Sequence, residues 1–434
     1  MKQVNMNLKL ALKIYFSTFY VALTLAATSF ALDITDEAKD LYIENRNSVY
    51  QVQIVNVATG KKSTIGSGFQ ISKDGHIATN YHVVSLAINS PESYRVEFIK
   101  SDDTVGSAKI LDIDIVHDLA IIKSDSAESS FFILGNSDIE KGTKIFSMGN
   151  PHDLGMTIVE GTYNGLMKES LYKKILFSGS LNPGMSGGPA FNRNGEIIGI
   201  NVSTAGNQIS FLVPVEFLSE LFEIAKTKSV TKNLSWDNII ERQLSKNQND
   251  YLNKILSSEW KYLSIGKVSV PGELTSAFKC WGSTPEVQFD LIKSADIYCS
   301  NEDSLFLSSN LWTGEMLFRY KWLYSTGLNT FRFYNIYENQ FKEKYDYPNA
   351  GNKSDVTNFK CQTEFVNING MNWKVGLCSR NYKKYRSLYD INLSMSSVGE
   401  KMEGLIVELV ALGVNKTKAL DFIYKFIGNI KWQE

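Results

Sequence analysis

Between residues 181 and 190 the chain reads Leu181-Asn182-Pro183-Gly184-Met185-Ser186-Gly187-Gly188-Pro189-Ala190. No regular helix runs through such a stretch, because its prolines lack the amide hydrogen and its glycines lose most entropy on being ordered. A serine set among them sits on an irregular turn, its hydroxyl free to face outward while backbone N–H groups converge on one point. The apolar run Ile197-Ile198-Gly199-Ile200 follows at once. A serine in that setting becomes a nucleophile only where a base takes its proton and a carboxylate orients the base. Asn80-Tyr81-His82-Val83-Val84 offers the histidine, and His117-Asp118-Leu119-Ala120-Ile121-Ile122-Lys123 offers the carboxylate, in chain order His, Asp, Ser.

The surrounding sequence predicts a mainly β fold. Short runs rich in β-branched and aromatic residues occupy Ser48 to Val57, Ser63 to Ile71, Tyr94 to Ile99, Val105 to Ile110, Lys144 to Met148, Met156 to Val159, Lys174 to Phe177 and Gln208 to Val213. Turn signals separate them, as expected of an all-β domain. Lys73-Asp74-Gly75-His76 and Asn192-Arg193-Asn194-Gly195-Glu196 read as hairpin turns. A helix is expected over Thr35 to Asn47, and an amphipathic one over Val215 to Thr227 closes the domain.

Four motifs in this half resemble, in the right order, those of trypsin-like serine proteases of the HtrA/DegP type. They are Gly66-Ser67-Gly68-Phe69, Ala78 to Val84, Asp118 to Lys123, and Pro183 to Pro189. The resemblance covers residues from about 40 to 225 and implies a double β-barrel. It implies that His82 is the general base, Asp118 its orienter and Ser186 the nucleophile, with the N–H groups of Gly184 and Ser186 as the oxyanion hole. Asp112 and Asp114 compete for the carboxylate role, but only Asp118 heads the Asp-Leu-Ala run; the other two are expected to face solvent. Met185 departs from the many trypsin-like enzymes whose aspartate at that place pairs with a freed N-terminal amine. The oxyanion loop must then be ordered by packing or by the second domain. The resemblance also puts Ser180, six residues before the nucleophile, at the floor of the primary pocket beside Leu181. Phe211 narrows the opposite wall, and Asn201, Val202 and Ser203 pair with substrate backbone. Neither Ser180 nor Leu181 carries a charge to match a buried lysine or arginine, so small or medium aliphatic residues are expected there.

Residues 1–31 read as an export signal. Lys2, Lys9 and Lys13 precede an apolar run, Ile14 to Ala27, that is short for a membrane span, and Ser29-Phe30-Ala31 is a small-x-small cleavage pattern. This implies a periplasmic or secreted protein with no membrane anchor after cleavage. The formal net charge is −1, and the first 31 residues hold three lysines and no acid, so the remainder carries −4. Nothing there points to nucleic acid. His76, His117 and His152 do not have metal-site spacing, and no metal or cofactor is expected.

All four histidines precede residue 153, whereas every tryptophan and cysteine follows residue 235. That change of composition predicts two domains: 32–225 as the protease and 251–434 as an α+β domain of no recognised family, joined by a linker over 226–250. In the second, Met316 to Tyr324, Thr330 to Tyr337 and Phe365 to Leu377 read as alternating runs, the last broken by a turn at Asn369-Gly370. Gly404 to Gly413 and Thr417 to Phe426 read as helices. Cys280, Cys299, Cys361 and Cys378 are an even set in an exported chain and contain no Cys-x-x-Cys pair, which predicts two disulfides. The echo of Phe278-Lys279-Cys280 in Phe359-Lys360-Cys361 favours Cys280 with Cys299 and Cys361 with Cys378, two other connectivities remaining open. Two functions of different class are consistent with these residues: an exported endopeptidase acting on polypeptides, or a protease-fold binding or chaperone-like protein whose triad is idle.

Overall fold

The computed structural model describes residues 36–125, 129–228, 235–284, 291–342 and 350–433. The export-signal reading of residues 1–31 lies outside them. Helix α1 (Asp36–Asn45) leads into strands β1 (Val49–Asn56), β2 (Lys62–Gln70) and β3 (His76–Thr79). Helix α2 (Tyr81–Asn89) follows, then β4 (Tyr94–Ile99), β5 (Val105–Asp114) and β6 (Leu119–Ser124). These six strands close into a barrel in the order β1-β2-β3-β6-β5-β4. A second closed barrel contains β7 (Lys144–Gly149), β8 (Thr157–Leu166), β9 (Ile175–Phe177), β10 (Pro189–Phe191), β11 (Ile197–Gly206) and β12 (Ile209–Pro214). Helix α3 (Val215–Ala225) ends this half. The pair of six-stranded barrels is the trypsin-like architecture. Closure removes the exposed edges that short antiparallel strands would otherwise present.

The second half begins with α4 (Trp236–Ser257) and a small sheet of β13 (Tyr262–Ile265) and β14 (Val268–Pro271). Next come β15 (Lys279–Ser283), β16 (Lys293–Ser300), the hairpin β17 (Leu305–Ser308) and β18 (Leu311–Thr313), and β19 (Met316–Tyr324). Helix α5 (Thr330–Lys342) precedes β20 (Lys360–Ile368), β21 (Met371–Asn381), β22 (Tyr389–Val398) and β23 (Glu403–Val414). Helix α6 (Lys416–Gly428) and β24 (Lys431–Trp432) complete the described chain. The large sheet runs β15-β16-β19-β23-β22-β21-β20, antiparallel throughout. Cys280 pairs with Cys299 across β15 and β16, and Cys361 with Cys378 across β20 and β21. Each bridge therefore ties an outermost strand of the sheet to its neighbour.

Three stretches differ from the sequence reading. Residues 404–413 form the central strand β23, not a helix; nearly every position is buried, on both faces, which gives the continuous apolar run that periodicity alone does not separate from a buried helix. Residues 330–337 open a helix rather than a strand, since Phe333 and Tyr337, four apart, are the pair that packs inward against Leu323 and Ile406. The stretch 226–250 is not a free linker: from Trp236 it is the first part of α4. There Ile240, Leu244, Gln248, Tyr251, Leu252 and Ile255 make a buried stripe that polar residues between them obscure in the sequence.

Helix α4 also unites the halves. Ile240 and Leu244 lie in one apolar cluster with Tyr50, Val52 and Phe98 of the first barrel and Tyr81 of α2. Further along, Tyr251, Leu252 and Ile255 join Phe318, Tyr320, Leu409 and Phe422 of the large sheet. Gln243 accepts from Ile115 N at 2.9 Å and donates to Ile113 O at 2.8 Å, satisfying strand groups at the end of β5.

Candidate active site

His82 stands in the first turn of α2, whose N-cap is Asn80. Asp118 occupies the tight connection between β5 and β6 with φ 56°, a left-handed conformation that short polar side chains tolerate best. That conformation directs several acceptors at one helix end. Asp118 Oδ2 lies 2.6 Å from His82 Nδ1, and Oδ1 accepts from His82 N at 2.8 Å. Its carbonyl accepts from Asn80 Nδ2 at 2.8 Å and Tyr81 N at 3.2 Å. A carboxylate at a helix N-terminus is favoured by the unpaired N–H groups there, so the same contact holds the imidazole and caps the helix. Desolvation in the cleft lowers the His82 pKa, but the charge and hydrogen bond of Asp118 outweigh it and leave the imidazole above its ordinary 6.5. His82 and Asp118 side chains are 28% and 21% exposed, enough to be reached from solvent.

Ser186 is carried to this pair by its glycines. A Cβ on Gly187 would stand 2.4 Å from Ser67 O and 2.9 Å from Asn80 N, so only glycine lets the turn press against the cap of the histidine helix. Ser67 N donates to Ser186 O at 2.8 Å. Among the described residues the Ser186 hydroxyl makes no hydrogen bond, to His82 or to any other group. Loose serine–histidine geometry is common before a substrate is bound.

The Gly184–Ser186 loop is ordered by packing and hydrogen bonds within the two barrels. Met185 is fully buried among Tyr163, Phe177, Leu181, Ile198 and Leu212. Its N–H closes a turn onto Asn182 O at 3.0 Å, and its carbonyl accepts from Asn201 Nδ2 at 3.1 Å. Ser67 Oγ donates to Gly184 O at 2.7 Å. Pro183 O accepts from His152 N at 2.8 Å. The peptide plane sets C=O and N–H on opposite sides, so this bond turns the Gly184 N–H the other way. Neither Gly184 N nor Ser186 N enters any hydrogen bond among the described residues. Gly184 has φ 97° and a Cβ there would meet Asn150 O at 2.3 Å, so no other residue fits.

Several residues that hold this loop were not picked out from the sequence. His152 and Asp153 have φ 52° and 61°, which aims the His152 N–H at Pro183. Asp153 in turn bonds Gln51 Nε2 at 2.7 Å and the Lys62 ammonium, and these keep its carboxyl below the usual range. Asn150 donates to Gln51 Oε1 at 2.7 Å and accepts from Gly155 N at 2.9 Å. The signal in the chain is only the polar turn Asn150-Pro151-His152-Asp153, and nothing in it names Gln51 a hundred residues earlier.

The other expected site residues fall in different places. Ser180 is exposed, whereas Leu181 is buried in the apolar cluster around Met185. Phe211 is half-buried on β12, opposite Ser203. Asn201 is wholly buried: it accepts from Ser147 Oγ at 2.8 Å, its N–H goes to Gly188 O and its carbonyl takes Gly187 N, both at 2.9 Å. It supports the serine loop from behind, and the strand edge beyond it belongs to Val202 and Ser203. Asp112 is buried and paired with Lys228 at 2.6 Å, not solvent-facing, because the helix-end lysine folds back onto β5. Asp114 bonds His117 Nδ1 at 2.6 Å, and that ring stacks on Phe217 at 3.6 Å. Among the described residues no cluster of His, Cys, Asp and Glu is placed to hold a metal ion.

Residues 66–200 match the trypsin-like peptidase domain family. This part of the chain is a trypsin-like peptidase domain. The peptidase domain is similar to Protease Do-like 1, chloroplastic, of Arabidopsis thaliana, at 31% identity over 195 residues, 41% of this chain and 42% of that protein. It is also similar to a probable periplasmic serine endoprotease DegP-like of Chlamydia trachomatis serovar D, at 34% identity over 34% of this chain and 31% of that one. The crystal structure of Deg5 aligns at 28% identity and a TM-score of 0.38, covering 44% of this chain and 94% of that chain. The chain thus spans well under half the length of the two curated relatives, and outside the peptidase domain it is not accounted for by them.

Proposed function

We propose that this protein is an exported serine endopeptidase that cleaves polypeptides through an acyl-enzyme on Ser186. The observation that carries the reading is the His82–Asp118 pair at 2.6 Å, set against a glycine turn with two unspent N–H groups beside Ser186. His82 Nε2 removes the Ser186 proton as Oγ attacks the scissile carbonyl, and Asp118 keeps the other ring nitrogen protonated and aimed. Gly184 N and Ser186 N receive the oxygen that becomes negative, without reorganising at that moment. The imidazolium then protonates the leaving amine, and water, deprotonated by the same ring, releases the acyl group. Export is supported by the periplasmic naming of the DegP-like relative and by the two disulfides, which persist in oxidising compartments. The peptidase domain extends over residues 32–225, and a neutral Ser180 and Leu181 favour small or medium aliphatic residues before the cut.

Labelling with a fluorophosphonate tests the reading. Wild type is expected to react at Ser186, and Ser186→Ala to lose both labelling and about a millionfold in kcat, with its melting temperature unchanged. Equal labelling of the two proteins would rule the assignment out.

A further inference from the structure

A cavity of about 330 Å³ is lined by His82 and not by Ser180, and its walls come from both halves of the chain. Val202 and Ser203 of β11 form one side and Tyr172 another, while Phe306 and Trp312 of the hairpin β17–β18 close the far side. The Phe306 ring meets His82 edge-on at 6.0 Å and Trp312 at 5.4 Å. The hairpin is firmly seated. Leu305, Leu307 and Leu311 are buried in the first barrel's core, and Tyr81 OH, one residue before His82, donates to Leu307 O at 3.1 Å. Just ahead of it, the Asp303 carboxylate accepts from Leu171 N at 2.7 Å and pairs with Lys174 at 3.1 Å, locking the hairpin to the segment that supplies Tyr172. Alternation along β17 then leaves Phe306 facing the cleft while its neighbours face the core.

Position gives this cavity a role. Ser203 and Thr204 of β11 pair with Phe211 and Ser210 of β12 on one side, Val202 lying at a bulge, and β10 ends before reaching them on the other, so that edge is open for an extended peptide to add as a strand. In such a strand successive side chains point to opposite faces. If the residue at the cut points toward the Ser180 side, the one before it points toward His82 and into the cavity. Aromatic walls suit a large apolar side chain.

We propose that this cavity receives the side chain of the residue second before the cleaved bond, that it selects a large aliphatic or aromatic one, and that Phe306 and Trp312 from the C-terminal half determine the selection. The substrate cleft is then complete only with that half in place. This rests on the peptidase reading above, and the test separates the two.

Full-length protein is assayed on fluorogenic peptides that keep valine at the cut and differ only in the preceding residue, glycine, alanine, leucine or phenylalanine. Wild type is expected to favour leucine or phenylalanine over alanine by about tenfold or more in kcat/KM. In Phe306→Ala and Trp312→Ala that ratio should fall toward one, with Phe306→Leu retaining part of it. A ratio taken within one variant cancels any change in its folded fraction or overall rate. Fluorophosphonate labelling of wild type with no preference, or with a preference that both alanine variants keep, overturns the subsite while leaving the peptidase standing. Wild type that neither labels nor cleaves overturns both.

Discussion

The Ser186 turn and the His82 helix meet in one site but are held from different directions. Asn201, Ser67, His152 and the cluster around Met185 fix the serine loop, and all of them belong to the two barrels. Helix α2, by contrast, shares its core not only with Tyr50, Val52 and Phe98 of the first barrel but also with Leu305, Leu307 and Leu311 of the C-terminal half and Ile240 and Leu244 of α4. The Ser186 turn therefore rests on the two barrels themselves, while the His82 helix rests both on the first barrel and on residues more than 150 positions later. A second half attached in this way shares a core with the first barrel and is no tethered accessory.

After Ser186→Ala, the largest expected effect lies at the carboxylate that holds His82. Asp118→Asn should keep the fold yet lower kcat by about 10⁴-fold, by holding the wrong imidazole tautomer. Wild-type kcat/KM should rise with pH through a limb above 6.5, because the protonated ring cannot accept the serine proton and Asp118 raises its pKa. An asparagine variant as fast as wild type would move the orienting role to another carboxylate, and a limb at or below 6.5 would show that desolvation outweighs the Asp118 contact.

The contrast between the arms sharpens with a matched pair of truncations. Leu307→Ala and Leu212→Ala remove equally buried leucines from the His82 side and the serine side. Each should cost about 2–5 kcal/mol in chemical denaturation. Only Leu307→Ala should displace the pH limb, and equal displacement by both would erase the distinction.

Replacing Cys280 and Cys299 together with serine should cost about 2–4 kcal/mol. Since α4 contributes to both cores, amide exchange in β1 should quicken along with that in β16. Protection of β1 that stays unchanged would show the halves to unfold independently. The smallest effect is Tyr81→Phe, which deprives Leu307 O of its hydroxyl donor and should cost about 1 kcal/mol, read as a shift in melting temperature.

What the chain discloses at the outset is whatever depends on near neighbours. Ser186, His82 and Asp118 each sit in a short motif that could be picked out, and the turn at Asn369-Gly370 and both cysteine pairings appear in the structure as read. Residues that act across long separations left no such trace. Gln51 reaches Asp153, and Phe306 reaches His82, through folding alone. Periodicity failed where burial was two-sided, as in β23, and where a helix happened to place aromatics at odd positions, as in α5. Asn201 was credited to the strand edge because the sequence does not tell which face of β11 turns toward the serine loop.

Cross-links at the two borders of the large sheet bear on self-digestion. A protease of the kind proposed above, taking extended chain as an added strand, would threaten its own outermost strands first, since those have a partner on one side only and peel most easily. Here each border strand is covalently fastened to the next one in, through Cys280–Cys299 at one margin and Cys361–Cys378 at the other. A segment so fastened cannot lift away as a free single strand, so under that proposal the second half would be guarded at both margins against the site it helps to build.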